Sequence, residues 1–162
     1  MNRTALILAV ALVAVLATLL PVLPADAGGT LGFVTGGGTK DQFSLIGRVY
    51  LTNQGAAKGH FVILAHPDVP DGSTVAVTCV YRDFDSVTIS GNSASFHSVG
   101  TCKILLTDGS TAKFTSDNVF SIIDNGEPGA GTDAIDVNFL GASGIAIPGG
   151  FLSGGNFVVS VP

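Results

Sequence analysis

Tryptophan is absent from this chain and tyrosine appears twice, which leaves little material for a carbohydrate site built on aromatic platforms. No run of Lys or Arg occurs anywhere. With 7 Lys+Arg against 12 Asp+Glu and a net charge of −5, the balance argues against nucleic acid and anionic membrane as partners, since both are met by cationic surfaces. Past the first residues no segment sustains an apolar period of 3.6, so no helix is expected there. No G-x-S-x-G, H-E-x-x-H or Ser/His/Asp spacing appears. No repeat recurs at a fixed period, and no linker divides the chain.

What is present begins with a leader. Arg3 precedes an apolar run from Ala5 to Leu20, shorter than the ~20 residues that a membrane-spanning helix needs. The run ends in PVLPADA, where Ala25-Asp26-Ala27 fits the small-x-small pattern read by signal peptidase. We therefore expect a helical signal peptide over 1–27, cleavage between Ala27 and Gly28, and an exported domain over 28–162. The competing reading is an uncleaved N-terminal anchor. No cysteine adjoins the cut, so a lipid-anchor signal is lacking, and the C-terminal FVVSVP carries no apolar tail. The expected location is secreted and extracellular, with no membrane attachment after signal removal. Arg3 and Asp26 cancel, so the exported part keeps the charge of −5, and it holds all 22 glycines. Its length suits one domain that buries about two thirds of its unfolded surface.

Cys79 and Cys102 are the only cysteines, and an even count in an exported chain suggests a bridge. In STVAVTCVY, Val75, Val77, Cys79 and Tyr81 share one face. In SASFHSVGTCKILL, Ala94, Phe96, Cys102, Ile104 and Leu106 share parity, unless a bend at Gly100 breaks it. Both sulfurs then point to the apolar side, within reach of each other on neighbouring strands. Two buried free thiols are the alternative.

The remainder reads as strands. QFSLIGRVYL, residues 42 to 51, turns Phe43, Leu45, Val49 and Leu51 inward, with Gly47 at a bulge or close contact. HFVILA, 60 to 65, is apolar on both faces and suits a central strand. HPDVPDG is a turn. Strands are expected at 74–82, 87–90, 94–106 (broken near Gly100), 111–116, 119–123 and 134–140, with IAI and NFVVSV last. Gly91-Asn92 and Asp108-Gly109 mark hairpin turns. The expected fold is all-β: a single antiparallel domain forming a flattened or partly closed β-barrel, with a β-sandwich as the alternative.

Four phrases in order, FVTGGGTKDQFSLIGRV, KGHFVIL, IIDNGEPGAGTDAIDV and PGGFLSGGNFVV, resemble a small all-β domain of exported bacterial proteins. In that family a TGGG turn precedes a strand, a GH pair opens another, a DNGEPG loop leads into an Asp-led strand, and a GG-x-L-x-x-GN phrase closes the domain. The likeness runs from about Gly32 to Val161. It implies a domain that occurs alone or appended to larger surface proteins, with no assigned activity and no catalytic residues. The cysteine pair lies outside the pattern.

The acidic stretch from Asp124 to Asp136 is the main candidate site. Asp124, Asn125, Glu127, Asp133 and Asp136 can supply oxygens to calcium, but the spacing is not that of an EF-hand. The favoured reading is a structural loop: Asn125-Gly126 suits a tight turn, and Asp124 and Asp133 bond to loop amides. TGGGTK precedes a strand rather than a helix, so it is read as a turn or bulge and not as a phosphate cradle. His60 and His66 sit too far apart along one strand to share a zinc. His97 shares a polar face with Ser95 and is expected to be solvated. Asp83, Asp85 and Asp108 offer an acid–base pair only in principle. The sequence therefore favours a secreted, non-catalytic β-domain with a structural or binding role, no cofactor, and an extracellular protein or small ligand as partner. The alternatives are a calcium-dependent adhesion module using the acidic loop and, less favoured, a small barrel enzyme using one histidine.

Overall fold

The computed structural model describes residues 29–66, 74–127, 129–140 and 146–161. The expected leader with its expected cut between Ala27 and Gly28, the expected HPDVPDG turn beyond His66, the start of IAI, and Pro128 lie outside the described residues. Nine strands follow in order: β1 (Thr30–Lys40), β2 (Phe43–Thr52), β3 (Ala57–Ala65), β4 (Thr74–Ser90), β5 (Ser93–Leu106), β6 (Thr111–Ile123), β7 (Ala134–Phe139), β8 (Ile147–Phe151) and β9 (Gly154–Ser160). They form one antiparallel sheet, ordered β8-β7-β6-β5-β4-β3-β2-β1-β9, that coils into a half-barrel. The all-β expectation holds, and the partly closed barrel is adopted in place of the sandwich.

Alternation explains most of the sheet. Leu45 and Val49 of β2, Phe61 and Ile63 of β3, and Phe120 and Ile122 of β6 face inward and are buried, while their neighbours face out. Tight turns join the strands where the residues permit them. Asp41 (φ 53°) turns β1 into β2, Gly91 (φ 58°) turns β4 into β5, and Gly109 (φ 81°) turns β5 into β6. At the last, Asp108 Oδ1 accepts the Ser110 N–H at 2.8 Å.

One row of residues in register shows how the sheet curls. Running across it are Phe157, Gly36, Gly47, Phe61, Tyr81, Gly100 and Ser116. A Cβ on Gly47 would lie 2.3 Å from the Phe61 ring, and one on Gly100 would lie 2.4 Å from the Tyr81 ring. The large rings thus lie over positions without side chains, and aromatic cover of this kind permits tight curvature. The interior fills with rings: Phe61 is 5.2 Å from Phe120, 5.8 Å from Phe96 and 6.1 Å from Phe157 between centroids. Those contacts join β3 to β5, β6 and β9 across the interior. Burying each such ring contributes roughly 1.5–3 kcal/mol.

Cys79 and Cys102 are directly opposed on β4 and β5, completely buried, and joined as a disulfide. No break occurs at Gly100, because Ala94, Phe96, Ser98, Gly100 and Cys102 all face the interior. Val75 alone departs from the expected face; it lies beside a register shift at the start of β4 and is exposed.

Three expectations about elements need correction: TGGGTK as a turn, the division of 74–90, and the division of 111–123, which is the single strand β6. TGGGTK is not a turn. It lies inside β1, paired with β2 on one side and β9 on the other. At Gly36 (φ 141°) a Cβ would meet the Asn156 carbonyl oxygen, so only glycine lets three backbones come this close. The stretch from 74 to 90 is one strand rather than two, because β-bulges at Tyr81/Asp83 and Asp85/Thr88 move the inward parity from Tyr81 to Phe84 and back to Val87.

Candidate functional site

The acidic loop sits where the half-barrel would otherwise gape. The chain leaves β8 at one end of the strand order, passes Leu152 and Ser153, and pairs as β9 with β1 at the other end. The side of β9 turned away from β1 meets no further strand, so its amides need other acceptors. Two of the loop's carboxylates provide them. Asp133 Oδ2 accepts the Phe157 N–H at 2.8 Å, and Asp124 Oδ2 accepts the Val159 N–H at 3.0 Å. Residues 157 and 159 are one pleat apart, so the two carboxylates follow the strand's own period of two.

The second oxygen of each carboxylate turns back to the loop. Asp133 Oδ1 accepts the Asn125 N–H at 3.0 Å, and Asp124 Oδ1 accepts the Gly126 N–H at 2.9 Å. Asn125 donates from its side chain to the Thr132 carbonyl at 2.7 Å, and Thr132 donates its hydroxyl to the Gly126 carbonyl at 3.1 Å. The β8–β9 corner is tied in as well: Gly131 N–H reaches the Leu152 carbonyl and Leu152 N–H reaches the Asp133 carbonyl, each at 2.8 Å. Asp133 is 0 % exposed, so its buried carboxylate is compensated by main-chain donors, and hydrogen bonds to a charged acceptor are about twice as strong as neutral ones.

The five residues named from the sequence therefore divide. Asp124, Asn125 and Asp133 come together around the loop and β9. Glu127 Oε1 accepts from Asn156 Nδ2 at 2.7 Å, and Asp136 Oδ2 accepts from Asn138 Nδ2 at 2.7 Å, each at its own place. Among the described residues no three His, Cys, Asp or Glu side chains are grouped so as to hold a metal ion.

The structure brings together two clusters that sequence reasoning missed. One is interior: Tyr81 Oη donates to Asn118 Oδ1 at 2.8 Å, the Ser116 hydroxyl donates to the same oxygen at 2.5 Å, and Asn118 Nδ2 donates to the Asn138 carbonyl at 3.3 Å. Burial pushes the Tyr81 phenol up from its ordinary value. The other is on the outer face. His97 lies between two carboxylates, with Nδ1 2.5 Å from Asp85 and Nε2 2.6 Å from Asp117. The expectation of a solvated His97 is thus corrected: the face was right, but the ring is only 22 % exposed. Its partners come from β4 and β6, and only sheet register reveals them. Asp83 lies two residues before Asp85 on β4, opposite Val99, whereas Asp108 belongs to the turn between β5 and β6.

On the outer face a recess of about 560 Å³ runs between β4 and β5 and is lined by Thr78, Val80, Arg82, Thr101 and Lys103 among others. A second of about 390 Å³ adjoins His97. Among the described residues no helix is long and apolar enough to cross a membrane. The buried disulfide agrees with an oxidising, extracellular setting. Comparison of the chain with protein-family models, curated proteins and solved structures returns no match.

Proposed function

We propose that this chain is a secreted, disulfide-bridged β-domain of bacterial origin whose role is structural or binding and not catalytic. The observation that supports this most is the filled interior. Phe61, Phe96, Phe120 and Phe157 occupy the space that a ligand-carrying barrel leaves as a lined cavity. The acidic loop supports the same reading, since Asp124 and Asp133 serve the main chain of β9. A partner, an extracellular protein or small ligand, then meets the outer face, where the recess between β4 and β5 offers two cations, Arg82 and Lys103, beside valine and threonine side chains. The apolar leader and the small-x-small Ala25-Asp26-Ala27 support export, as do the four phrases similar to exported β-domains.

Expression in a secreting bacterial host tests the reading. The expected product in the medium has the mass of Gly28–Pro162 less two hydrogens for the disulfide. A full-length chain kept in the membrane fraction overturns export. Turnover that survives in the purified domain and is lost on substituting an outer-face residue overturns the non-catalytic role.

A further inference from the structure

The outer-face cluster joins three consecutive strands through one ring. Asp85 stands on β4, His97 directly opposite it on β5, and Asp117 on β6 one diagonal step away, His97 itself being opposite Val119. A neutral imidazole donates from one nitrogen only, so donation to both carboxylates requires the imidazolium. Asp85 is placed by the bulge that follows it, where Ser86 has φ 50°, a conformation that costs a non-glycine residue free energy. The two carboxylates differ in exposure, 69 % for Asp85 and 39 % for Asp117.

We propose that Asp85, His97 and Asp117 form a proton-dependent clasp that holds the Ser86 bulge of β4 against β5 and β6 and opens when His97 loses its proton. The neutral ring keeps its bond to the less exposed Asp117 and releases Asp85. The bulge, no longer tied down, then loosens beside the recess lined by Asp85, Ser86, Ser95, His97, Val119 and Leu140.

The charged groups around the ring are the two carboxylates, with Asp83 and Arg82 further along β4. Just past the end of β7, the apolar Leu140 lines the recess. The bond to Asp117 raises the His97 pKa above the ordinary 6.5, burial opposes it, and Asp85 raises it further. The sign follows from linkage. A group whose folded pKa is raised contributes its full stabilisation below about pH 6.5 and loses it as pH rises through the raised value.

NMR titration of the His97 ring in the oxidised protein, together with amide exchange of residues 85–88 corrected for its intrinsic pH dependence, tests the clasp. The expected midpoint lies above 6.5 and falls further in Asp117→Asn than in Asp85→Asn. Local opening is expected to rise about two- to fivefold from pH 5.5 to pH 9, the range of a partly exposed ion pair, and to be pH-independent in His97→Gln. A His97 midpoint at or below 6.5 in the unsubstituted protein overturns the proposal, whatever the variants do. So does opening at 85–88 that ignores pH.

Discussion

Gly100 and Asp133 show how single residues set the terms of this fold by opposite means, one by lacking a side chain and the other by burying a charged one. Gly100 lies under the Tyr81 ring, which is itself held by its bond to Asn118, so the ring has nowhere to go. Gly100→Ala is expected to cost about 1–3 kcal/mol by overpacking, read as a lower urea midpoint with an unchanged slope. Asp133 is the reverse case. Its two oxygens serve the amides of Phe157 and Asn125, and Asp133→Ala leaves donors without acceptors. The expected loss is at least about 1–3 kcal/mol, the cost of one unsatisfied buried group. A substitution within 0.5 kcal/mol of the parent would mean that the loop's carboxylates contribute little. Both roles were only half visible in sequence. That Asp133 bonds to the loop's own amides was expected, but that its other oxygen reaches β9 was not, because residue 157 is distant in the chain.

Strands β9 and β4 carry the lesson at the element scale. β9 has a ladder on one side only, and two carboxylates stand in for the missing neighbour. Amide exchange should therefore find Phe157 and Val159 protected although they face away from β1. Asp133→Ala is expected to expose the Phe157 amide selectively, and Asp124→Ala that of Val159. Equal protection of both amides in parent and variants would refute the latch. β8, at the other end of the order, is short and contains Pro148, which discourages pairing with another chain. β4 shows why the alternation rule under-counts. Its two bulges invert the inward parity twice in a few residues, so a period-two reading ends the strand at the first and restarts it after the second. β6 was divided for a different reason: Ser116 and Asn118 are polar yet face the interior, where they serve Tyr81.

For the whole molecule, stability comes from one coiled sheet held by three different devices: a ring-filled interior, a seam of carboxylates, and a disulfide across a separation of 23 residues. Replacing both cysteines by alanine is expected to remove about 3 kcal/mol by chain-entropy accounting while far-UV circular dichroism keeps its β signature. Loss of that signature would make the bridge a condition of folding. A second measurement concerns the acidic loop as a whole. Because its carboxylates already accept from main-chain and asparagine donors, the melting temperature should be the same in calcium and in chelator. A rise in calcium would restore the adhesion-module reading. The sequence alone determined the all-β class, the hairpin turns at Gly91-Asn92 and Asp108-Gly109, the facing of the cysteines and the self-bonding of the loop, since all of these depend on alternation and on turn chemistry between near neighbours. Tertiary structure alone decided that TGGG is strand, that β9 crosses to β1, and that His97 sits between Asp85 and Asp117. Those facts depend on which distant strands lie side by side, and curvature and register, which set that, are properties of the whole sheet rather than of any local stretch.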